Sequence, residues 1–407
     1  MSLNIRDSIH GFIQLNDLEE KLIQTYPFQR LRFIHQLGTT SWVYPTGVHT
    51  RFDHSLGVLQ LASVVIERLK SLDIKLREED SEIFRLSCLL HDIGHPPFSH
   101  VGEDMNLFPQ GLNHEIMGIK IIKETEISRE ISKVLGEEAI ERIFFIVTGK
   151  GKPTSSLDNL FHIILAGQAG IDRMDYLLRD SYFLGVMYGK FDLARILETL
   201  RYDEEKGIYW EEGGIHALEQ FLLARYFMFT EVYFHRTRRI LDYHLAQLLK
   251  SYLKKHFEGE NHDFFPENVD EYLDLQDYKV ISWMMECDSL HKDIFMKRKF
   301  FKKINPESSD HPEKDEIILW KWLEDELKRN FEQDDYFFDK ADKVPYKVEK
   351  ADMLVIYSGK LIPIHKVSKL VNSLKSIKKR RIYGDESRIE ALSKFVEDFL
   401  GEKKKEV

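Results

Sequence analysis

Four ionisable side chains, His91, Asp92, His95 and His100, fall within the last ten residues of the stretch SEIFRLSCLLHDIGHPPFSH, residues 81–100. Apolar residues at helical spacing precede them, and a glycine and two prolines then stop the helix. An aspartate at the C-terminal end of a buried helix is unfavourable, because the helix dipole is negative there and an uncompensated carboxylate is costly to bury. A bound cation removes both costs, since imidazole and carboxylate are good ligands. The stretch therefore predicts a metal site, with a solvated helix end as the alternative.

Two helices must position this site. The first is predicted to begin with Ser81 as its N-cap and to end at His91 and Asp92. The second is predicted to begin at Arg51, with His54 in its first turn and an almost wholly apolar sequence after it. Because both helices must pack in one core, Arg51 and His54 are candidates for the same site. The alternative is that both are capping or surface groups.

A third predicted helix carries acidic and aromatic side chains on one face. Asp172, Tyr176 and Asp180 follow one another at intervals of four residues, so they lie on the same side of the helix. Asp175 and Arg179 form an i, i+4 pair that points elsewhere. The face either contributes to the site or is the solvated side of an ordinary amphipathic helix.

A long helical pattern over residues 215–250 carries cations and a tyrosine. Arg225, Tyr233 and Arg236 are separated by eight and three residues, which places them along one face of a continuous helix. Such a stripe can face a phosphate and a flat ring, or it can be a snorkelling surface.

Composition restricts the class of protein. The chain of 407 residues is 43% hydrophobic and 31% charged, as expected of a folded chain with a substantial core. It has no apolar run of about 18 residues, which argues against a membrane span, and no recognisable signal peptide. Cys88 and Cys287 are too few for a disulfide framework, so a cytoplasmic protein is expected. The net charge of −10 makes binding to long nucleic acids unfavourable.

The remaining pattern predicts a mainly α fold with a small N-terminal β-hairpin and a mixed α+β C-terminal lobe. The hairpin is predicted over residues 4–16 and strands over 335–364, most clearly at 344–348 and 353–357. Further helices are predicted within residues 17–37, 101–150, 269–303, 315–331, 365–376 and 387–400. The basic run Lys375–Arg381 is typical of a solvated face; a subunit or regulatory anion contact is the alternative.

Three stretches together resemble the HD phosphohydrolase superfamily, and within it the deoxynucleoside triphosphate triphosphohydrolase branch. They are FQRLRFIHQLGTTSWVYPTGVHTRFDHSLGV (28–58), LLHDIGHPPFSH (89–100) and AGIDRMDYLLRDSYFLG (169–185). The similarity runs over about residues 5 to 250 and is only loose afterwards. It implies a helical HD-domain core as catalytic domain, residues 1–255, with a C-terminal lobe, residues 256–407, packed on it.

The resemblance also implies a role for each matching position. A divalent metal ion, which could be Mg, Mn, Zn, Fe or Ni, would be held by His54, His91, Asp92 and Asp172. A catalytic histidine–carboxylate group would consist of His95, His100, Glu103 and His114. The substrate's phosphates and sugar would contact Gln36, Leu37, Arg51, Arg173, Tyr176, Asp180, Arg225, Tyr233 and Arg236.

The implied reaction is metal-dependent hydrolysis of a deoxynucleoside triphosphate at the α-phosphate, giving a deoxynucleoside and triphosphate. One alternative keeps the metal site but takes a nucleoside monophosphate or another phosphoester as substrate. Another is a nucleotide-binding protein with weak activity. The expected partners are the nucleotide and further copies of the chain in a homo-oligomer, with no membrane and no nucleic acid. Activation by a guanine nucleotide, which the family's regulatory members show, is left open.

Overall fold

The computed structural model describes residues 3–257, 264–286, 290–344, 346 and 353–403. The fold is mainly α, as predicted, and begins with a hairpin of β1 (Asn4–Asp7) and β2 (Gly11–Gln14). The helices that follow are α1 (Asp17–Ile23), α2 (Tyr26–Gln29), α3 (Arg51–Ser71), α4 (Glu78–Leu90), α5 (Val101–Asp104), α6 (His114–Glu124), α7 (Glu126–Leu135), α8 (Glu138–Thr148), α9 (Asp158–Ala166) and α10 (Ile171–Leu184).

The second half of the chain mixes helices and strands. Its helices are α11 (Leu193–Glu198), α12 (Ile215–Phe227), α13 (Arg236–His256), α14 (Val269–Leu273), α15 (Asp277–Glu286), α16 (Leu290–Met296), α17 (Lys314–Asn330), α18 (Ile364–Val367), α19 (Lys369–Ser373) and α20 (Ile389–Lys403). Its strands are β3 (Leu200–Asp203), β4 (Gly207–Trp210), β5 (Lys302–Ile304), β6 (Tyr336–Lys343), β7 (Leu354–Tyr357), β8 (Lys360–Pro363) and β9 (Ile377–Gly384). Among the described helices none is both long and apolar enough to cross a membrane.

Helix α4 begins earlier than the sequence predicts. Its N-cap is Arg77 rather than Ser81, and Ser81 lies inside the first turns. Asp80 accepts hydrogen bonds from the backbone N–H and the guanidinium of Arg77, and with Glu78 and Glu79 it supplies negative charge where the helix dipole is positive. The C-terminal end is as predicted, because the helix stops at Leu90 immediately before the His-Asp pair.

The predicted helix over residues 17–37 is broken. Pro27, which has no N–H to donate, stands at the start of the short α2, and a 3₁₀ turn over Arg30–Phe33 follows. The chain then extends, and Gln36 and His49 are joined by a backbone hydrogen bond of 3.0 Å. The same pairing places His35 opposite Thr50, which is the N-cap of α3.

Two sheets shape the C-terminal region. One has the order β3-β4-β7-β8 and the other β5-β9-β6. Strands β3, β4, β5 and β9 are not predicted from the sequence, and β5 overlaps the end of the helical pattern predicted within residues 269–303. The expectation of a solvated face for Lys375–Arg381 is wrong for β9, because the side chains of Lys379, Arg380 and Arg381 are only 13%, 14% and 7% exposed. The cations of β9 are accommodated by carboxylates of neighbouring segments: Arg380 pairs with Asp342 and Arg381 with Glu307. The predicted strand at 344–348 lies largely outside the described residues.

The hydrophobic core and one β-sheet both contain residues from before and after residue 255, the predicted domain boundary. Strand β4 pairs in parallel with β7, and the larger buried apolar cluster contains Ile13 of the hairpin, Leu59 of α3, Leu249 of α13 and Val355 of β7. The division at residue 255 stays a prediction, since the two regions share this packing.

Helices α3 and α10 approach closely at Gly57. A Cβ atom at this position would lie 2.0 Å from Asp175 Oδ1 and 2.2 Å from Arg179 Nη2, both fixed in a buried ion pair. We expect Gly57→Ala to lower the free energy of unfolding by about 1–3 kcal/mol, because this pair must shift to admit the methyl group. Urea denaturation measures the change.

The matched control for this substitution is Gly401→Ala. Gly401 lies on helix α20, and a Cβ atom added there would meet no neighbouring segment within 4 Å. Alanine at this position should therefore be neutral or stabilising by up to about 1 kcal/mol. Equal effects at the two positions would contradict the close-approach argument.

Candidate metal centre and active site

Four side chains from three helix ends converge on one point. His54 Nε2 lies 3.2 Å from Asp172 Oδ1 and 3.5 Å from Asp92 Oδ2. His91 Nε2 lies 3.4 Å from Asp92 Oδ1 and 3.8 Å from Asp172 Oδ1. Donor atoms at these separations can share one ion at ordinary metal–ligand distances of about 2.0–2.2 Å. The structure thus brings together the four residues that the resemblance implies as ligands.

The donor set fits a divalent cation. His91 is buried and its Nδ1 donates to Cys88 O at 2.8 Å, which leaves Nε2 as the lone-pair atom. Within the described residues this Nε2 has no hydrogen-bond partner, an arrangement that is costly unless a cation occupies the space. Two imidazoles and two carboxylates suit a borderline or hard metal and do not select one.

A carboxylate behind the ligands orients His54. Asp175 is fully buried and accepts hydrogen bonds from His54 Nδ1 at 2.7 Å, from His10 Nε2 at 2.6 Å and from Arg179 at 2.9 Å. Arg179 is also paired with Asp7 at 2.8 Å. The arrangement fixes the tautomer of His54 so that Nε2 faces the metal position.

The sequence analysis misjudged Asp175, which it placed in a pair pointing away from the site. Asp172 and Asp175 are three residues apart and therefore neighbours on α10, and Asp175 faces α3, where Gly57 leaves room for it. The spacing of three residues from Asp172 was the one signal for Asp175 in the sequence, because its burial depends on how α10 packs against α3. His10 gave no signal, because its role depends on the hairpin packing against α10.

The ionised groups around the four candidate ligands favour a cation between them. Burial lowers the pKa of His54, but hydrogen bonds to Asp172 and Asp175 outweigh it and raise that pKa to about 10. Burial raises the pKa of Asp92, yet the charges of Arg51 and His91 hold it well below its ordinary value. The carboxylates are therefore ionised at neutral pH, and the position between them attracts positive charge, either a proton on His54 or a metal ion.

A second group of histidines lies beside the first. Glu103 accepts hydrogen bonds from His100 Nδ1 at 3.0 Å and from His114 Nδ1 at 2.5 Å, which leaves the Nε2 atom of each ring available. His95 stacks on His114 with ring centroids 4.0 Å apart. Burial lowers the pKa of His114, but Glu103 outweighs it and raises that pKa, whereas burial, Arg51 and His114 lower the pKa of His95. One ring of the stack is therefore suited to carry a proton and the other to stay neutral.

Both groups border one cavity of about 490 Å³, within the range of small-molecule sites. Arg51 lies at its wall and donates to Asp92 Oδ2 at 2.5 Å and to Ser99 Oγ at 2.9 Å. The other residues of the implied site that line this cavity are Gln36, Leu37, Asp92, His95, His100, His114, Asp172, Arg173, Tyr176, Asp180, Arg225 and Tyr233. The residues that line the cavity do not include His54, His91 and Glu103.

Asp180 lies at the end of the cavity away from Glu103, the carboxylate that binds His100 and His114. It accepts hydrogen bonds from His49 Nε2 at 2.8 Å and from Tyr233 OH at 2.6 Å. Tyr176 packs against Tyr233 with ring centroids 6.5 Å apart. A carboxylate fixed by two donors is an acceptor of defined position, and the aromatic rings limit the space around it.

Arg236 does not join the other predicted residues. A π-helical turn over Met228–Tyr233 ends α12, and α13 begins only at Arg236 after His235 as N-cap. The expectation of one continuous helix face is therefore wrong, because the extra residues change the phase. The side chain of Arg236 is exposed, and Arg238 and Arg239 line the cavity instead.

The C-terminal strand β6 closes one side of the cavity, which the sequence analysis did not anticipate. Lys340, Ala341, Asp342 and Lys343 are lining residues. No motif marked them, since the resemblance is loose after about residue 250. Their placement depends on strand pairing between β6 and β9, which brings β6 against α13.

The fold and the site define a metal-dependent hydrolase with a helical core. Residues 51–163 match the HD domain family, and residues 191–407 match the HD associated region. The chain belongs to the HD-domain family of phosphohydrolases.

Three similar proteins illustrate the family. An uncharacterized protein of Methanocaldococcus jannaschii is 32% identical over 95% of this chain and 80% of that protein. The crystal structure of a phosphohydrolase from Bacteroides thetaiotaomicron has a TM-score of 0.74 and 27% identity, over 94% of this chain and all of that one. The deoxynucleoside triphosphate triphosphohydrolase SAMHD1 homolog of Dictyostelium discoideum is 32% identical over 60% of this chain and 48% of that protein. This chain thus spans about half the length of the last relative.

Removing the negative charge of Asp175 should weaken metal binding. We expect Asp175→Asn to lower the affinity about 10–100-fold, because the amide orients His54 less well and lowers its basicity. Isothermal titration with Mn²⁺ measures the change. The control is Asp325→Asn, an exposed aspartate on α17, which should bind as the unmodified protein does. An unchanged affinity for Asp175→Asn would refute the orienting role.

Metal binding should release a proton near neutral pH. Without the ion, His54 has a pKa of about 10 and is protonated at pH 7.5; as a ligand it must lose the proton on Nε2. Titrations in buffers of different ionisation enthalpy should give about one proton per ion, and the apparent affinity should rise with pH up to about 10. Binding without proton release would contradict a His54 that is protonated without the ion and a ligand with it.

Proposed function

We propose that the protein hydrolyses deoxynucleoside triphosphates at the α-phosphate and releases a deoxynucleoside and inorganic triphosphate. The observation that carries this proposal is the composition of one cavity. It joins the metal-ligand set and the Glu103-bound histidines to the fixed carboxylate of Asp180 and to a wall of cations. The identity with a deoxynucleoside triphosphate triphosphohydrolase relative supports the substrate class.

The charge of the cavity favours a polyphosphate over a monophosphate. The cationic lining residues are Arg51, Arg173, Arg225, Arg238, Arg239, Lys340 and Lys343, and the acidic ones are Asp92, Asp104, Asp172, Asp180 and Asp342. Two of those carboxylates belong to the ligand set and would be neutralised by the ion. Arg239 and Lys340 are paired with Asp339 and Glu324, which lie outside the lining, so they do not add to the excess. The positive charge of the other cations suits several phosphate groups, which arginine binds through paired hydrogen bonds.

At the other end, Asp180 and Tyr176 are suited to a 2′-deoxyribose. Asp180 Oδ1 and Oδ2 each already accept one hydrogen bond, so the carboxylate is held ready to accept another from a 3′-hydroxyl. Burial raises the pKa of Tyr176. The ring of Tyr176 packs against the ring of Tyr233. In this proposal the ring of Tyr176 occupies the space that a 2′-hydroxyl would need.

The chain supplies proton transfer from the histidine group. When bound, a divalent ion would polarise a phosphoryl oxygen and lower the pKa of a water molecule. The oxygen of a water molecule forms a bond to the α-phosphorus and loses a proton to solvent, and the bond from the α-phosphorus to O5′ breaks. O5′ needs a proton as it leaves, and His114, whose pKa Glu103 raises, can supply it. Arg51 and Arg173 would hold the phosphates while this happens.

Product analysis tests the proposal. We expect each active pairing of a dNTP with Mg²⁺ or Mn²⁺ to give deoxynucleoside and triphosphate in equal amounts, separated by ion-exchange chromatography. Glu103→Gln should lower kcat by about 10²–10⁴-fold and leave metal content unchanged, because it removes the charge that holds a proton on the histidines. Asp325→Asn on α17 is the control with normal turnover.

Other products would select another reaction. Orthophosphate with a nucleoside from a monophosphate would favour the alternative phosphoester substrate, and nucleotide binding without any product would favour a binding protein. Either result would refute the proposed reaction. Homo-oligomerisation and a cytoplasmic location stay predictions.

A further inference from the structure

A second cavity, of about 360 Å³, adjoins the candidate active site. The two cavities share four lining residues: Arg173, Arg225, Asp342 and Lys343. Because Arg173 and Arg225 belong to the proposed phosphate end of the first cavity, the two cavities meet at that end, and neither Asp172 nor Asp180 lines the second.

The wall of the second cavity is strongly cationic. Lys378 of β9 adds a fourth positive side chain to the two arginines and Lys343. Within the part of the chain that the structure describes, Asp342 is the one acidic lining residue. Its carboxylate is already bound by Arg380 in two hydrogen bonds of 2.5 and 3.0 Å.

The contacts of Arg173 and Lys378 leave their charge in place. Arg173 donates to the carbonyl oxygens of Ala166 and Gly167 at the C-terminal end of α9, which are uncharged acceptors. Within the described residues Lys378 forms no salt bridge. Arg225 is buried, and both its burial and the charge of Arg173 lower its pKa. Several cations around one partly desolvated space favour an anion of several charges.

The second cavity also leads outwards. A third, more open cavity of about 700 Å³ shares Ser376 and Lys378 with it. This outer space is lined by Lys314 and Lys375 and also by Glu313 and Asp315, so the excess of positive charge is confined to the second cavity.

We propose that the second cavity is a binding site for inorganic polyphosphate chains and receives the triphosphate released in the reaction. This rests on the proposed function, which generates triphosphate at the wall that the two cavities share. The nucleoside would remain at Asp180, which lines only the first cavity, so the two products would occupy different parts of the joined space.

Binding of inorganic tripolyphosphate to the full-length, metal-loaded protein tests the site without turnover. We expect Lys378→Gln to weaken binding about tenfold by isothermal titration, the size expected for loss of one charged hydrogen bond. Tripolyphosphate should bind more tightly than pyrophosphate, and pyrophosphate more tightly than orthophosphate. Circular dichroism and metal content of the variant should match the unmodified protein.

Substitutions of two other lysines serve as controls and distinguish this site from its surroundings. Lys340→Gln removes a lysine that lines only the first cavity and is paired with Glu324 at 2.6 Å. Lys369→Gln removes an exposed lysine of α19 in the same region. Both should bind tripolyphosphate much more tightly than Lys378→Gln does.

Three results would overturn the inference: no binding of tripolyphosphate, an unchanged affinity in Lys378→Gln, or a larger loss in Lys340→Gln. A separate turnover assay distinguishes this failure from failure of the proposed function. If tripolyphosphate binds through Lys378 but no dNTP yields triphosphate, the anion site stands and the reaction falls.

Discussion

The site depends on one buried carboxylate, that of Asp175. It receives His54 of α3, His10 of the N-terminal hairpin and Arg179 of its own helix, so three separate segments are fixed relative to one another by a single side chain. An ionised group without solvent is stable only when such partners surround it. Gly57 is part of the same constraint, because no other residue type leaves room for the pair between the helices.

The metal position follows from an imbalance that this network leaves. Asp175 is bound by three cationic or hydrogen-bonding partners, whereas Asp92 and Asp172 together contact one guanidinium, that of Arg51, and the imidazoles of His54, His91 and His95. Two carboxylates at the end of α4 and the start of α10 therefore retain a demand for positive charge, and a divalent ion meets it better than a proton does. A set of metal ligands differs from a structural ion-pair cluster in two ways. Its side chains are held in place from one side by hydrogen bonds, and its negative charge is not fully neutralised by neighbouring residues.

Much of this was accessible from the sequence, and the reasons for the failures are physical. Local motifs pointed to the four side chains that meet at the candidate metal position, because each lies at a helix end that a glycine, proline or cap marks. Asp175 was misplaced because its spacing from Arg179 suggests a surface pair, and only the packing of α10 on α3 shows that both are buried. Arg236 was misplaced because one π-helical turn changes the phase of every residue after it. Strand β9 was missed because its alternation is obscured by cations that neighbouring carboxylates neutralise.

The C-terminal region is then part of the site rather than an appendage to it. In the proposed function the helical core would supply the metal ligands and the proton-transfer group, whose geometry must be fixed to fractions of an ångström. These residues lie on or beside α3, α4, α5, α6 and α10. Recognition of phosphate charge is less demanding, because Coulomb attraction acts over several ångströms and changes slowly with position. Strands β6 and β9 can provide it through lysines on flexible stems, of which Lys343 and Lys378 border the joined cavities. A wall built in this way can accommodate a long anion without disturbing the network around Asp175, because neither lysine is among the partners of that carboxylate.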